Sequence, residues 1–230
     1  MKKITVEQLE NIEIFKNISK TSLKELALLG EVKKYTVGSH LFRDKEDVTT
    51  LYIVISGSVS LYKLNESGNK RVIFILGTGK MINDVIIQDL PASINCEIFE
   101  EAQILSYDKY AFLNVMENDF TLSKNIICSL AMKVRRMYRQ LKNTNGTIRM
   151  EKKLAAKLCK LSKDYGVSCD NGVIINMNIS ITYLADLLGS KRETISRTLK
   201  ILLNENLIEY ENKKIKVISQ ERLSEFFKAP

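Results

Sequence analysis

ISITYLADLLGSKRETISRTLKILLNENLI, residues 179–208, decides the fold of the C-terminal part of the chain, because it reads as two short helices joined by a tight turn. Ser180 is placed to cap the first helix, whose buried side holds Leu184, Leu187 and Leu188. Gly189 supplies the stop, since glycine enters the left-handed conformation without a Cβ penalty. Ser190 and Glu193 have the spacing of a capping box at the start of the second helix. In that helix Ile195, Leu199 and Leu202 or Leu203 form the apolar face, which turns Lys191, Arg192, Glu193, Ser196 and Arg197 outward. A helix opening with such side chains can enter the major groove of duplex DNA, and Ser180 is expected as a further DNA contact. Arginine would meet guanine edges or phosphates, and glutamate would meet cytosine amino groups.

The flanks support this reading. LIEYENKKIKVI, residues 207–218, offers two strands around Asn212, Lys213 and Lys214, the form of a wing whose lysines either touch phosphate or simply keep a hairpin soluble. Upstream, VIINM at 173–177 predicts a short strand, and residues 148–164 predict a helix with Leu154, Leu158 and Leu161 along one side. The formal charge is +8, and +6 of it falls in residues 142–230, which suits phosphate contact by this half. NTNGT, residues 143–147, groups loop-forming residues and is the expected domain boundary.

The period changes in the other half. After one or two short helices within 7–29, short segments rich in β-branched and aromatic residues follow at 32–37, 40–43, 51–55, 58–64, 70–76, 94–98 and 103–107. They predict an antiparallel barrel or sandwich. Within LYIVISGSVSLYKLNESGNKRVIFIL, residues 51–76, Ser56 and Gly57 are expected to turn the chain once and Asn65 to Asn69 again. The intervening helices of a parallel-sheet enzyme are missing from this pattern. Helix returns after Asp108, first over Tyr110 to Met116 and then from about Phe120 to Lys142. There Ile127, Leu130, Val134, Met137 and Leu141 advance by three, four, three and four residues. Such a seam either faces the barrel or forms a homodimer interface.

Composition narrows the function classes. At 230 residues the chain can bury a sizeable core as one or two domains. No apolar run reaches the ~20 residues of a membrane span, and MKKITVEQLENIEIF lacks the apolar core of a secretion signal, so a cytoplasmic protein is expected. Cys96, Cys128, Cys159 and Cys169 are widely separated with no CxxC pair, and His40 is the only histidine. That pattern favours packing roles over a metal centre. The nucleophile-elbow and Walker-type phosphate-loop motifs are also missing, which argues against an enzyme.

Taken together, LADLLGSKRETISRTLKIL, LYIVISGSVSLYKL and ILGTGKMI resemble the cyclic-AMP receptor protein and fumarate/nitrate-reduction regulator superfamily of bacterial transcription factors, over nearly the whole chain. The resemblance implies an α+β architecture in three parts. Residues 1–108 would form a double-stranded β-roll effector domain with N-terminal helices, 109–142 a long dimerisation helix region, and 143–230 a winged helix-turn-helix domain. It also implies a homodimer that reads a DNA palindrome, with a possible RNA polymerase contact. Glu193, Ser196 and Arg197 are similar to the E-x-x-S-R pattern of the fumarate/nitrate-reduction branch, preceded by Arg192, and imply TTGAT-like half-sites. Glu193 also fits a helix-capping role, and Ser196 fits simple avoidance of a clash.

The effector positions depart from the family pattern. Where cyclic-AMP binders place Gly-Glu and Arg-Ser, this sequence has Asn83-Asp84 and Ala92-Ser93. Ala92 cannot fork onto a phosphate, and Asp84 is shorter than glutamate. The expectation is therefore a small-molecule effector other than cyclic AMP. The alternatives are a cyclic nucleotide in an atypical pocket, or regulation without an effector. The cysteine cluster of oxygen-sensing relatives is missing, and His40 does not match a haem-ligating position, so neither an iron–sulfur cluster nor haem is expected.

Overall fold

A computed structural model describes residues 2–142 and 148–229. It divides into two compact units, one of Met1–Lys63 with Ile73–Tyr138, the other of Leu64–Val72 with Arg139–Pro230. The segment 143–147, the expected domain boundary, lies outside the described residues.

The first unit opens with strand β1 (Lys2–Lys3), helix α1 (Val6–Glu10), a 3-10 turn at Glu13–Phe15, and α2 (Lys20–Leu29). Thr5 and Gln8 form a reciprocal capping box at α1, and Ser19 caps α2 by accepting from the Ser22 N–H. Then come β2 (Glu31–Tyr35), β3 (His40–Phe42), β4 (Thr50–Leu64), β5 (Lys70–Leu76), a 3-10 turn at Asp84–Gln88, β6 (Asn95–Asp108), α3 (Lys109–Asn118) and α4 (Phe120–Lys142). The sheet runs β1-β2-β6-β4-β5, with β3 also pairing β6. Asp119 precedes α4, and its carboxylate accepts from the N–H groups of Leu122 and Ser19, so it ties the start of that helix to α2.

The structure corrects the strand count. The segments 51–55 and 58–64 are one fifteen-residue strand, and 94–98 and 103–107 are one of fourteen. Ser56 and Gly57 do not reverse the chain. They sit at an irregularity where the pairing of β4 with β6 shifts between Val54 and Val59. A positive φ serves a bulge as well as a turn, which is why the sequence misleads here. Gly57 has φ +77°, and a Cβ on it would stand 2.1 Å from the Glu101 carbonyl oxygen, so only glycine fits.

Two apolar clusters fill this unit. One packs Leu9, Phe15, Leu26, Phe112, Leu122 and Ile126 of the helices against Leu51, Ile53, Leu105 and Tyr107 of the sheet. The other lies among the strands and includes Phe42, Val54, Val59, Leu61, Ala92, Cys96, Ile98, Ala102 and Ile104.

In the second unit α5 (Met150–Tyr165) is followed by β7 (Gly166–Cys169), β8 (Gly172–Ile175), α6 (Ile181–Leu188), α7 (Arg192–Asn204), β9 (Ile208–Glu211), β10 (Lys214–Val217) and α8 (Gln220–Lys228). The order of its antiparallel sheet is β7-β8-β10-β9. Strand β7 and helix α8 go beyond the elements expected from sequence. Leu154, Leu158 and Leu161 on α5 are buried, as their spacing predicts, and α5 packs on α7 and α8. Among the described residues no helix is long and apolar enough to cross a membrane.

Candidate functional site

Helices α6 and α7 meet across Gly189, Ser190 and Lys191. The Ser180 side chain caps α6 by accepting from the Tyr183 N–H at 3.1 Å. Gly189 takes the left-handed conformation at φ 62°, and the N–H groups of Gly189 and Ser190 both donate to the Ala185 carbonyl. That engagement of Ser190 moves the start of α7 on by one residue. Lys191 is its N-cap, without a side-chain hydrogen bond, and the expected Ser190–Glu193 capping box does not form.

Helix α7 buries Ile195, Thr198, Leu199 and Leu202. The Thr198 hydroxyl satisfies itself by donating to the Thr194 carbonyl at 2.8 Å. On the other side Lys191, Arg192, Glu193 and Arg197 are exposed and Ser196 is half-buried. None of these five side chains has a hydrogen bond or ion pair among the described residues. They are donors and acceptors on a rigid scaffold with their valences open. Ser180, by contrast, is already engaged as a cap.

The wing closes through Asn212 and Lys213, both at positive φ, the geometry of a two-residue hairpin that matches the twist of its strands. It is fixed to the base of α6. The Ile179 N–H donates to the Lys213 carbonyl at 2.7 Å, and the Tyr210 hydroxyl donates to the Ile179 carbonyl at 3.2 Å.

On α4, Ile127, Val134 and Met137 are exposed, whereas Leu130 packs against the helical core of its own unit. The side chain of Leu141 lies outside the described residues. The outward apolar stripe is better described by Ile127, Ala131, Val134 and Tyr138, spaced four, three and four.

Asn83, Asp84, Ala92 and Ser93 differ in their surroundings. Asn83 pins β4, its carbonyl oxygen accepting from the Tyr52 N–H and its amide donating to the Thr50 carbonyl. Asp84 is buried and bonded at 2.7 Å to Nζ of Lys133, which also donates to the Met81 and Ile82 carbonyls. Burial pulls the Lys133 ammonium below its ordinary pKa, and Asp84 opposes that shift. Ala92 belongs to the core, while Ser93 is exposed. Lys133 was missed by sequence reasoning, although a signal existed: it continues the core-facing stripe of Leu122, Ile126 and Ser129.

A cavity lies elsewhere in the same unit. Its walls are Asn125, Cys128, Ser129, Met132, Lys133 and Arg136 of α4, Leu76 and Gly79–Met81, and Glu13 with Ile14. The Lys80 hydrogen bond and charge hold the Glu13 carboxyl below its usual range. Cys96 and Cys159 are buried, Cys128 is exposed and Cys169 is half-buried. His40 bonds through Nε2 to the Tyr62 hydroxyl at 2.8 Å.

Residues 32–119 match the cyclic nucleotide-binding domain family and residues 152–226 match the Crp-like helix-turn-helix domain family. The chain belongs to the cyclic-AMP receptor protein and fumarate/nitrate-reduction regulator superfamily. It is a DNA-binding transcriptional regulator of that superfamily, and not an enzyme. Relatives in the superfamily include a CRP-like cAMP-activated global transcriptional regulator of Mycobacterium tuberculosis, 23% identical over 92% of this chain and 94% of its own length. Another is the cAMP-activated global transcriptional regulator CRP of Haemophilus influenzae, 29% identical over 80% of this chain and 82% of its own. Among solved structures, FixK2 from Bradyrhizobium japonicum shares the fold at a TM-score of 0.75 and 16% identity, covering 85% of this chain and 96% of that one. The superfamily's sensor-side and DNA-side modules are thus both present, in the expected order.

Proposed function

We propose that the chain acts as a homodimer on palindromic duplex DNA with TTGAT-like half-sites, and that its activity is set by a small molecule other than cyclic AMP. The observation that carries the DNA reading is the unpartnered set on α7. Arg197 offers a fork to guanine O6 and N7, Glu193 accepts from a cytosine amino group, and Ser196 fits a small contact beside them. Lys191 and Arg192 add phosphate attraction at the helix start, and Lys213 does so at the wing. Pairing through the outward stripe of α4 would present two such helices to successive major-groove faces, about 34 Å apart. Contact with RNA polymerase would follow from the position of the operator.

The effector reading rests on the closure of Asn83 and Asp84 by internal partners, and on an alanine in the core where the superfamily's phosphate-binding arginine would stand. A cyclic nucleotide is the second reading, favoured by the relatives named for activation by cyclic AMP. It would require Asp84 to exchange Lys133 for ribose hydroxyls and a cation from elsewhere to meet the phosphate.

Selection of the purified protein on a randomised duplex library, at one fixed salt concentration and with or without cyclic AMP, tests both parts. The expected result is enrichment of paired TTGAT-like half-sites that cyclic AMP does not sharpen. Enrichment of an unrelated palindrome would overturn the half-site assignment. Enrichment only with cyclic AMP would establish the second reading instead.

A further inference from the structure

The cavity beside α4 has a volume of about 190 Å³, and none of Asn83, Asp84, Ala92 or Ser93 lines it. Its apolar lining comes from Ile14, Leu76, Met81 and Met132, and three cations share the wall. The cations are engaged to different degrees. Lys133 is bonded to Asp84 and two carbonyls, and Lys80 to Glu13. Arg136, half-buried, has no hydrogen bond or ion pair among the described residues. Its charge reaches the Glu13 carboxylate, where it adds to the larger effect of Lys80, but no hydrogen bond fixes the guanidinium, which presents a planar fork that matches a carboxylate in two parallel hydrogen bonds.

Charge and size narrow the ligand. Lys133 with Asp84, and Lys80 with Glu13, are internally neutral, so Arg136 leaves the cavity with a single positive charge. One negative charge is what it can neutralise. An engineered cavity of about 150 Å³ takes up benzene, so this volume suits a ring or a short chain. Glu13, kept ionised by Lys80, stands in the same wall and would repel an anion that approached from its side.

We infer that this cavity binds a small monocarboxylate, with its carboxylate on Arg136 and its apolar body among Ile14, Leu76, Met81 and Met132. The inference rests on, and deepens, the reading that the effector is not a cyclic nucleotide. It also places the ligand against the helix that carries the outward stripe. Met132 and Arg136 line the cavity, Met132 being itself partly open to solvent, and Ile127, Val134 and Tyr138 of the same helix are exposed outside that lining. A ligand there acts on dimer geometry only to the extent that it favours one placement of α4 over another.

The test is calorimetric titration of the full chain with benzoate and with hexanoate, with benzamide as the neutral isostere of benzoate, and with cyclic AMP in parallel. Benzoate or hexanoate is expected to bind, and benzamide to bind at least about tenfold more weakly for want of the charge-assisted pair. Arg136→Gln should weaken the carboxylate by about tenfold or more, and Glu13→Gln should tighten it. The opposite directions of those two variants separate a ligand contact from general damage to the fold. Silence of both carboxylates at millimolar concentration, or unchanged affinity in Arg136→Gln, overturns the inference. Binding of cyclic AMP while both carboxylates are silent overturns the underlying effector reading as well. Silence of both carboxylates and of cyclic AMP overturns the cavity assignment alone.

Discussion

Helix α7 and the start of the 3-10 segment at Asp84–Gln88 both carry polar side chains that the sequence resemblance implies as ligand contacts, and the structure treats them in opposite ways. On α7, Arg192, Glu193 and Arg197 are exposed and have no partner within the described chain. At the sensor positions Asn83 and Asp84 are buried, and every one of their side-chain oxygens and nitrogens is engaged. A group left open is available to an outside molecule, whereas a group closed internally must first break what it has. The difference teaches that polar residues implied as contacts by the same resemblance are open to an outside molecule on α7 and closed by internal partners at Asn83 and Asp84.

The largest expected effect tests the closed side. Asp84→Ala leaves the Lys133 ammonium, whose side chain is 15% exposed, without its carboxylate. Breaking a buried pair from one side costs about 3 kcal/mol or more. Urea unfolding of the variant should show that loss, and adding Lys133→Met should recover most of it. A cost within a few tenths of a kcal/mol of zero would mean that the pair does not close the site. On the open side, Arg197→Ala and Glu193→Ala should each cost about 1 to 3 kcal/mol of discrimination between the selected operator and a scrambled duplex. Their melting temperatures should stay near the parent's, since neither side chain has a hydrogen bond or ion pair among the described residues. A large drop in melting temperature would contradict the contrast.

The smallest effect concerns a carboxylate closed by backbone. Burial acts to raise the pKa of Asp119, but hydrogen bonds from Ser19, Ser22 and Leu122 outweigh it and hold the group below its ordinary value. Asp119→Asn keeps one acceptor oxygen and loses the other, so it should cost about 1 kcal/mol at neutral pH, the worth of one hydrogen bond. A depressed carboxyl stabilises fully above its unfolded pKa of about 3.9, and that stability disappears as pH falls through the lower folded value. The gap between parent and variant in thermal unfolding should therefore be constant above about pH 5 and shrink below about pH 4.

Much of this was legible in the residues themselves. Ser180, Gly189 and the spacing of Ile195, Leu199 and Leu202 announced two helices and their turn, because caps and apolar phase are local properties. Other features were decided by tertiary contacts. Ser190 looked like a cap until its N–H was engaged by Ala185. Leu130 and Leu141 fitted a heptad, but Leu130 turned to its own core and Tyr138 took a place on the outward stripe. At the effector positions, sequence could identify the missing arginine at Ala92, yet it could not bring Lys133 from 49 residues away to Asp84. Nothing in the sequence singles out Arg136, because a cavity has no signature along the chain.

The irregularity at Gly57 gives β4 something like a reading frame. Toward the cluster among the strands β4 presents the even-numbered Val54 before the irregularity and the odd-numbered Val59 and Leu61 after it. Its partner β6 keeps even numbers there throughout, with Cys96, Ile98, Ala102 and Ile104. The glycine therefore sits at a frameshift, and each half of the strand is in phase with the core only because the shift is one residue. Inserting or deleting a single residue between Val54 and Val59 would exchange inside for outside over half the strand.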